Sequence, residues 1–353
     1  MSWVLKPDAR IEVSGRDLSA AEAGLAALSV DLATGTVGSA HLSLWPRTAF
    51  ENAAPGDEIA LSIGAADDPT PVFSGVIESV RKGPRAVVIE AREAPAPLLV
   101  SRLNRSFVNQ TIADIVHGLA GDVPVSAAES EIELSLYAVE GRRSVWSHLR
   151  ELAALAGADL HCTADGALVF APYGAGEGHT LHRGIDLLGW ETLSAVPPEA
   201  ETYAVHGAGS RAGADKWHWL DPAVKGAETG ESRVLGAFAN TDAAEAATAA
   251  AAARAANAAV RARARVWGRP DLRIGDTLDL VLAESGGGSL LDAATEALSG
   301  VLGGSSSKPP YRITGLTHSL NREAGFVTTL ELGGSTAPGD MEGGAAGLAG
   351  GLP

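Results

Sequence analysis

Two segments more than two hundred residues apart begin alike: PGDEIALSIGAADD (55–68) and IGDTLDLVLAESGGG (274–288). Each opens on a Gly-Asp turn, whose permissive glycine and side-chain acceptor start a strand, and each continues with alternating apolar residues. The likeness then extends in order, with PVFSGVIESV and RAVVIEARE after the first copy and PYRITGLTHSL and AGFVTTLELGG after the second. A single Gly-Asp turn is a weak signal. Three successive strands matching in kind and order constrain the chain to build one antiparallel β unit twice. Aligning the central glycines, Gly75 with Gly315, makes the second copy 21 residues longer. The excess falls in residues 284–310, a short amphipathic segment between Gly/Ser linkers where a hairpin loop belongs.

At 353 residues the chain exceeds one ordinary core and points to two or three domains. A lone Cys162 makes neither an intramolecular disulfide nor a thiolate metal cage, and the polar start MSWVLKPDARIEV lacks a secretory apolar region. The sequence holds no uninterrupted apolar run of about 18 residues, so no membrane-spanning helix is expected. With 43 acidic against 27 basic residues, the net charge of -16 argues against gripping nucleic acid by its phosphates.

Periodicity divides the chain into four parts. Residues 1–103 alternate like a small antiparallel barrel. Residues 104–191 read as an α/β unit: a helix in NQTIADIVHGLAG capped by Thr111 and Asp114, a second in SVWSHLRELAALAGA from Ser144 to a stop at Gly157, and a hairpin about Asp165-Gly166. Residues 192–335 read as a second barrel carrying an Ala-rich helix (241–260), with Asp242 and Glu245 as its capping box, and the 284–310 insertion. In RARARVWG, Arg261, Arg263 and Arg265 share one strand face. Residues 336–353 read as a flexible Gly-rich tail.

Chemistry has little foothold. His179 and His182 in GHTLHRG are spaced like metal ligands, but only Asp186 is near to complete a set, and a surface loop is the better reading. KWHWLD (216–221) fits a subunit contact better than a sugar platform, and GAGSRAG (207–213) lacks dinucleotide spacing. There is neither a G-x-S-x-G elbow nor an H-E-x-x-H helix. Cys162 reads as a small core residue, and His161, His206 and His318 as structural. The arginine row reads as facing a neighbouring chain's carboxylates in preference to DNA. No catalytic, cofactor-binding or metal-ligating residue is assigned.

Taken in order, VFSGVIESV, SFVNQTIADIVHGLAG, SVWSHLRELAALAGADLHCTADGALVFAP, GRPDLRIGDTLDL and YRITGLTHSLNREAGFVTTLEL resemble the late control D family of phage-tail baseplate hub proteins. That family is related to the hub part of type VI secretion VgrG spike proteins, and the resemblance runs over roughly residues 1–335. It implies a mainly β fold with an α+β insert: two tandem barrels per chain, assembling as a homotrimeric pseudo-sixfold ring. Such a ring adapts a sixfold tail tube to a threefold spike and encloses a channel, whose acidic wall would let a polyanion slide. The implied partners are further copies of the chain, a separate spike protein, a tail tube or tube-initiator protein, baseplate wedge proteins, and tape measure or cargo in the lumen. Neither a membrane nor specific nucleic-acid binding is implied, and assembly would be in the bacterial cytoplasm. The chain departs from fused hub-spikes in having only a Gly-rich stretch after Leu332. Two other classes compete: a tail-associated cell-wall-degrading enzyme, which needs a paired-carboxylate cleft, and a carbohydrate- or receptor-binding β module using Trp217 and Trp219.

Overall fold

The computed structural model describes residues 6–200, 202–204, 232–234, 238–282 and 311–341. The insertion and KWHWLD, with His206 and GAGSRAG, lie outside them. The chain opens with β1 (Pro7–Val13), β2 (Arg16–Ser19), the one-turn helix α1 (Ala20–Ala23), β3 (Leu25–Ala33) and β4 (Ser39–Leu44), then β5 (Glu58–Ala65), β6 (Asp68–Lys82) and β7 (Val87–Glu93). The middle contributes β8 (Arg105–Thr111), α2 (Ile112–Ala120), β9 (Val125–Ala128), β10 (Glu133–Val139), α3 (Val145–Ala156), β11 (Ala158–Cys162) and β12 (Leu168–Pro172). Next come β13 (Gly178–His182), β14 (Leu187–Ser194), β15 (Thr202–Ala204), β16 (Ser232–Val234), α4 (Thr241–Ala258), β17 (Val260–Trp267), β18 (Thr277–Val281), β19 (Tyr311–Asn321) and β20 (Gly325–Gly334).

Among the described residues, the strands of both expected barrels lie in a single sheet. Thirteen strands make one curled, mainly antiparallel sheet in the order β14-β17-β20-β19-β3-β4-β7-β6-β5-β1-β2, with β18 on β19 and β13 parallel to β18. The β19–β3 ladder, from Gly315 opposite Ala33 to Asn321 opposite Ala27, joins the two copies edge to edge. Among the described residues no ladder closes either half on itself. The two-residue period dictates which face is buried, but closure depends on tilt and stagger between strands, which the period does not report. GHTLHRG is likewise no surface loop: Gly178–His182 is β13, so the second half of the sheet begins inside the span 104–191.

Each half curls over its own core. Ile11, Leu28, Leu42, Leu61, Phe73 and Ile89 fill the first half, and Leu272, Leu278, Ile313, Leu316, Leu330 and Leu332 the second. A third core lies in the α/β unit, where Ile112, Ile115, Val116 and Leu119 of α2 meet Trp146, Leu149 and Leu152 of α3. Fully burying one such aliphatic side chain contributes about 1.5–3 kcal/mol. The helix ends follow their local chemistry. Thr111 and Asp114 form a reciprocal capping box on α2; Ser144 caps α3, which stops at left-handed Gly157.

The Ala-rich helix packs on α3 and puts Ala243, Ala244 and Ala247 into the third core. Its cap is Asn240, whose side chain accepts from Ala243 N at 2.8 Å, in place of the expected Asp242–Glu245 box. A bridge from Phe238 to Leu134 and a bond from Ala239 N to Glu133 O hold the entering chain so that Asn240 is the last extended residue. The start of the expected flexible tail is also docked. Asn257 pairs with the backbone of Thr336 in both directions, and Pro338–Met341 forms a one-turn 3-10 helix against α4.

Candidate functional site

The duplicated strands match in pairing order, β3-β4-β7-β6-β5 against β14-β17-β20-β19-β18. Backbone bonds set their register. Gly56 N donates to Ile77 O and Ile77 N to Asp57 O; Gly275 N donates to Ile313 O and Ile313 N to Asp276 O. The ladders also bulge at matched places, at Glu78 and Thr314 in one pair of strands and at Ala26 and Leu188 in the other. Ile77 therefore corresponds to Ile313, and Ser79 to Gly315.

Gly75 and Gly315 are therefore not counterparts. The spacings from the turn glycine, 21 positions to Ile77 and 38 to Ile313, differ by 17 rather than 21. Gly75 answers a different need, since a Cβ there would meet the Arg92 carbonyl oxygen at 1.9 Å. The Gly-Asp turns themselves are true counterparts. Gly56 and Gly275 sit at φ 96° and 89°, where only glycine is unstrained. Asp57 accepts from Ala54 N at 3.0 Å, and Asp276 from Arg273 N at 2.8 Å.

Opposite the cores, the sheet from β14 to β6 presents a largely polar face, broken by Val76, Leu193 and Trp267. Rows of paired residues cross it, such as Glu191–Arg263–Glu331 in one half and Ser29–His41–Glu90–Ser79 in the other. Arg81, Arg92, Arg261, Arg263 and Arg265 interleave with Asp31, Glu78, Glu90, Glu191 and Glu331, so this face is mixed in charge, not acidic. Arg263 Nε lies 3.9 Å from Glu331 of its own chain. Arg92 and Glu78 lie 3.0 Å apart, and Arg81 and Glu90 3.5 Å. Exposed pairs of this kind contribute about 0–1 kcal/mol each.

Between the α/β unit and the sheet, the contacts are buried and specific. Arg312 of β19 donates to both carboxylate oxygens of Asp159 on β11, at 2.8 and 3.3 Å, and to Gly334 O. Its guanidinium lies 4.2 Å from the Tyr173 ring centroid. Burial raises the Asp159 carboxyl above its ordinary range, against the pull of Arg312. Trp146 Nε1 donates to Gly35 O at 3.1 Å, tying α3 to the turn after β3. Cys162 is a buried core residue, as expected, and burial beside Glu93 pushes its thiol up. Glu93 in turn accepts from Gly38 N at 2.6 Å.

Asp276 is a second junction. It accepts from Glu177 N at 3.1 Å and lies 3.0 Å from His179 Nε2. His182 is exposed, and Asp186 accepts from its backbone N–H, so the pair spaced like metal ligands does not converge. Burial drives His161 down to about 4 and His318 down to about 3. His318 Nδ1 lies 3.0 Å from Thr328 Oγ1. Among the described residues no group of three or more His, Cys, Asp or Glu could hold a metal ion, and no helix is long and apolar enough to cross a membrane. Sequence reasoning missed Arg312, Asp159, Glu93 and the full set of partners of Asp276. For Asp276 alone a signal existed, in the repeated Gly-Asp turn.

No family model matches the sequence, and no curated protein does. Solved structures do match over nearly the whole chain. The tail protein from Neisseria meningitidis MC58 aligns with TM-score 0.64 at 16% identity, covering 95% of this chain and 99% of its own. The 43 kDa tail protein of prophage MuSo2 from Shewanella oneidensis gives 0.60 at 13%, covering 95% and 100%. The E. coli c3393 protein, a type VI secretion component with structural similarity to the T4 bacteriophage tail proteins gp27 and gp5, gives 0.59 at 14%, covering 93% and 77%. At these identities the likeness establishes a shared fold.

Proposed function

We propose that the chain is the structural hub of a phage tail or contractile injection particle. Three copies form a ring in which six related half-sheets adapt a sixfold tail tube above to a threefold spike below and enclose a central channel. The observation carrying this reading is the internal duplication within one continuous sheet: the chain already contains one edge-to-edge joint between its two halves. Closed cyclic symmetry is the usual way for one chain to repeat such a joint into a ring. The likeness to phage-tail and type VI structures supports a structural component of a tail-like assembly. Halves that are alike but unequal present near-sixfold symmetry to the tube and keep a threefold face for the spike.

Solution mass tests the reading. Sedimentation or native mass spectrometry is expected to give a trimer, and a stable monomer at assembly concentrations overturns it. Incubation with peptidoglycan is expected to release no fragments; reproducible cleavage would instead establish the cell-wall-degrading alternative.

A further inference from the structure

Both halves of the sheet possess the same two rims, and within the chain one rim of each kind is used. The exit half of β19 pairs with β3. By the register above, the counterpart of the β19 exit is the β6 exit from Ser79 onward. The counterpart of β3 is β14, with Leu25 matching Leu187, Val30 matching Thr192 and Ala33 matching Ala195. Among the described residues, the β6 exit pairs only with β7, and β14, apart from an isolated bridge between Leu187 and Arg183, only with β17.

We propose, resting on the trimeric reading, that these two rims join across copies of the chain. Ser79–Lys82 of one copy runs antiparallel to Thr192–Ala195 of the next, with Ser79 opposite Ala195, Val80 opposite Ser194, Arg81 opposite Leu193 and Lys82 opposite Thr192. The template is the chain's own β19–β3 ladder, in which Gly315 opposes Ala33 and Thr317 opposes Asp31. There, Thr317 Oγ1 donates to Asp31 Oδ1 at 2.8 Å on the polar face. At the same position between copies, the Arg81 stem lies over Leu193, with Glu191 one step diagonal on that face. The rims are complementary, Arg81 and Lys82 on one and Glu191 on the other.

The rims also need cover. Leu193 and Val196 are 58% and 90% exposed, and an uncovered edge strand is a site of uncontrolled pairing. Because the two rims differ, the joint is head to tail and closes into a ring when the rotation allows. Each copy then contributes eight adjacent strands, β14 through β6, to one continuous wall.

Paired cysteines test the register. Directly opposed antiparallel residues have Cα atoms about 4.5–5.5 Å apart, inside the range that a disulfide spans. The native Cys162 is buried and does not compete. Under mild oxidation, the full chain carrying R81C and L193C is expected to run as covalent dimers and trimers on a non-reducing gel, and either single variant as monomer. Moving one thiol to the opposite face, in R81C with T192C, is expected to lower the yield about tenfold. A trimer by mass in which R81C/L193C fails to cross-link, or does so no better than R81C/T192C, overturns this joint and leaves the trimer standing. A monomer by mass at every concentration overturns both. Independently, R81E/K82E is expected to weaken assembly and E191K to restore it; no loss with the first variant, or no recovery with the second, counts against the joint.

Discussion

Replacing Arg312 with methionine removes one half of a buried ion pair and leaves the other in place. Arg312 and Asp159 side chains are only 10% and 5% exposed, and Asp159 has Arg312 as its ion-pair partner. Methionine keeps much of the aliphatic volume beside Tyr173, so the loss is chiefly electrostatic. Stranding one buried charge in this way costs about 3–5 kcal/mol. For a urea m-value of about 3 kcal/mol/M, the unfolding midpoint falls by about 1–1.7 M. The readout is tryptophan fluorescence at fixed protein concentration, because assembly contributes to apparent stability. The sign with pH is also determined. With Arg312 gone, the Asp159 carboxyl rises further, so the variant recovers stability as pH falls and the carboxyl takes its proton. The double variant D159L/R312M, which buries no charge, is expected to regain most of the loss. A shift below about 0.3 M for R312M, or a double variant no more stable than R312M, would refute the assignment of this pair as the pin between β11 and β19.

Other expectations follow from single contacts. Alanine at Gly275 or Gly56, each at positive φ, is expected to cost about 1–2 kcal/mol at both sites; thermal melting that shows one tolerant and one intolerant position would count against their equivalence. Because His318 and His161 are held down to about 3 and about 4, the unfolded chain binds more protons below about pH 6.5, and stability drops from there toward pH 3–4. In H318Q the slope of the urea midpoint against pH is expected to be shallower over this window, and an unchanged slope would refute His318 as its source. Asn257→Ala is expected to free residues 336–341 from α4 at a cost of about 1–3 kcal/mol, read as faster hydrogen exchange there; unchanged protection would mean that other contacts hold the segment.

What proved legible in the sequence was local. Thr111 with Asp114, Ser144, and Gly157 act within one turn of their own helices, so capping and a 3.6-residue period located α2 and α3. Alternation placed Arg261, Arg263 and Arg265 outward and Ala262, Ala264 and Val266 inward, because a strand's faces follow from its period alone. The recurrence of three strands announced a duplicated unit without showing how the copies meet. Their true register hung on Ile77 and Ile313, set by bonds to the Gly-Asp turns rather than by matching glycines.

Contacts between residues distant in sequence became visible only in three dimensions. Arg312 finds Asp159 across 153 positions, and β13 pairs parallel with β18 although GHTLHRG carries little strand signal of its own. That one β unit is built twice could be read without the fold, since each strand's period and each turn's glycine are properties of a few neighbouring residues. Whether the copies close as two barrels or join as one sheet lay beyond that reading. That choice is made by backbone groups on the rims of β3 and β19, which every sequence possesses and which only three-dimensional placement brings together.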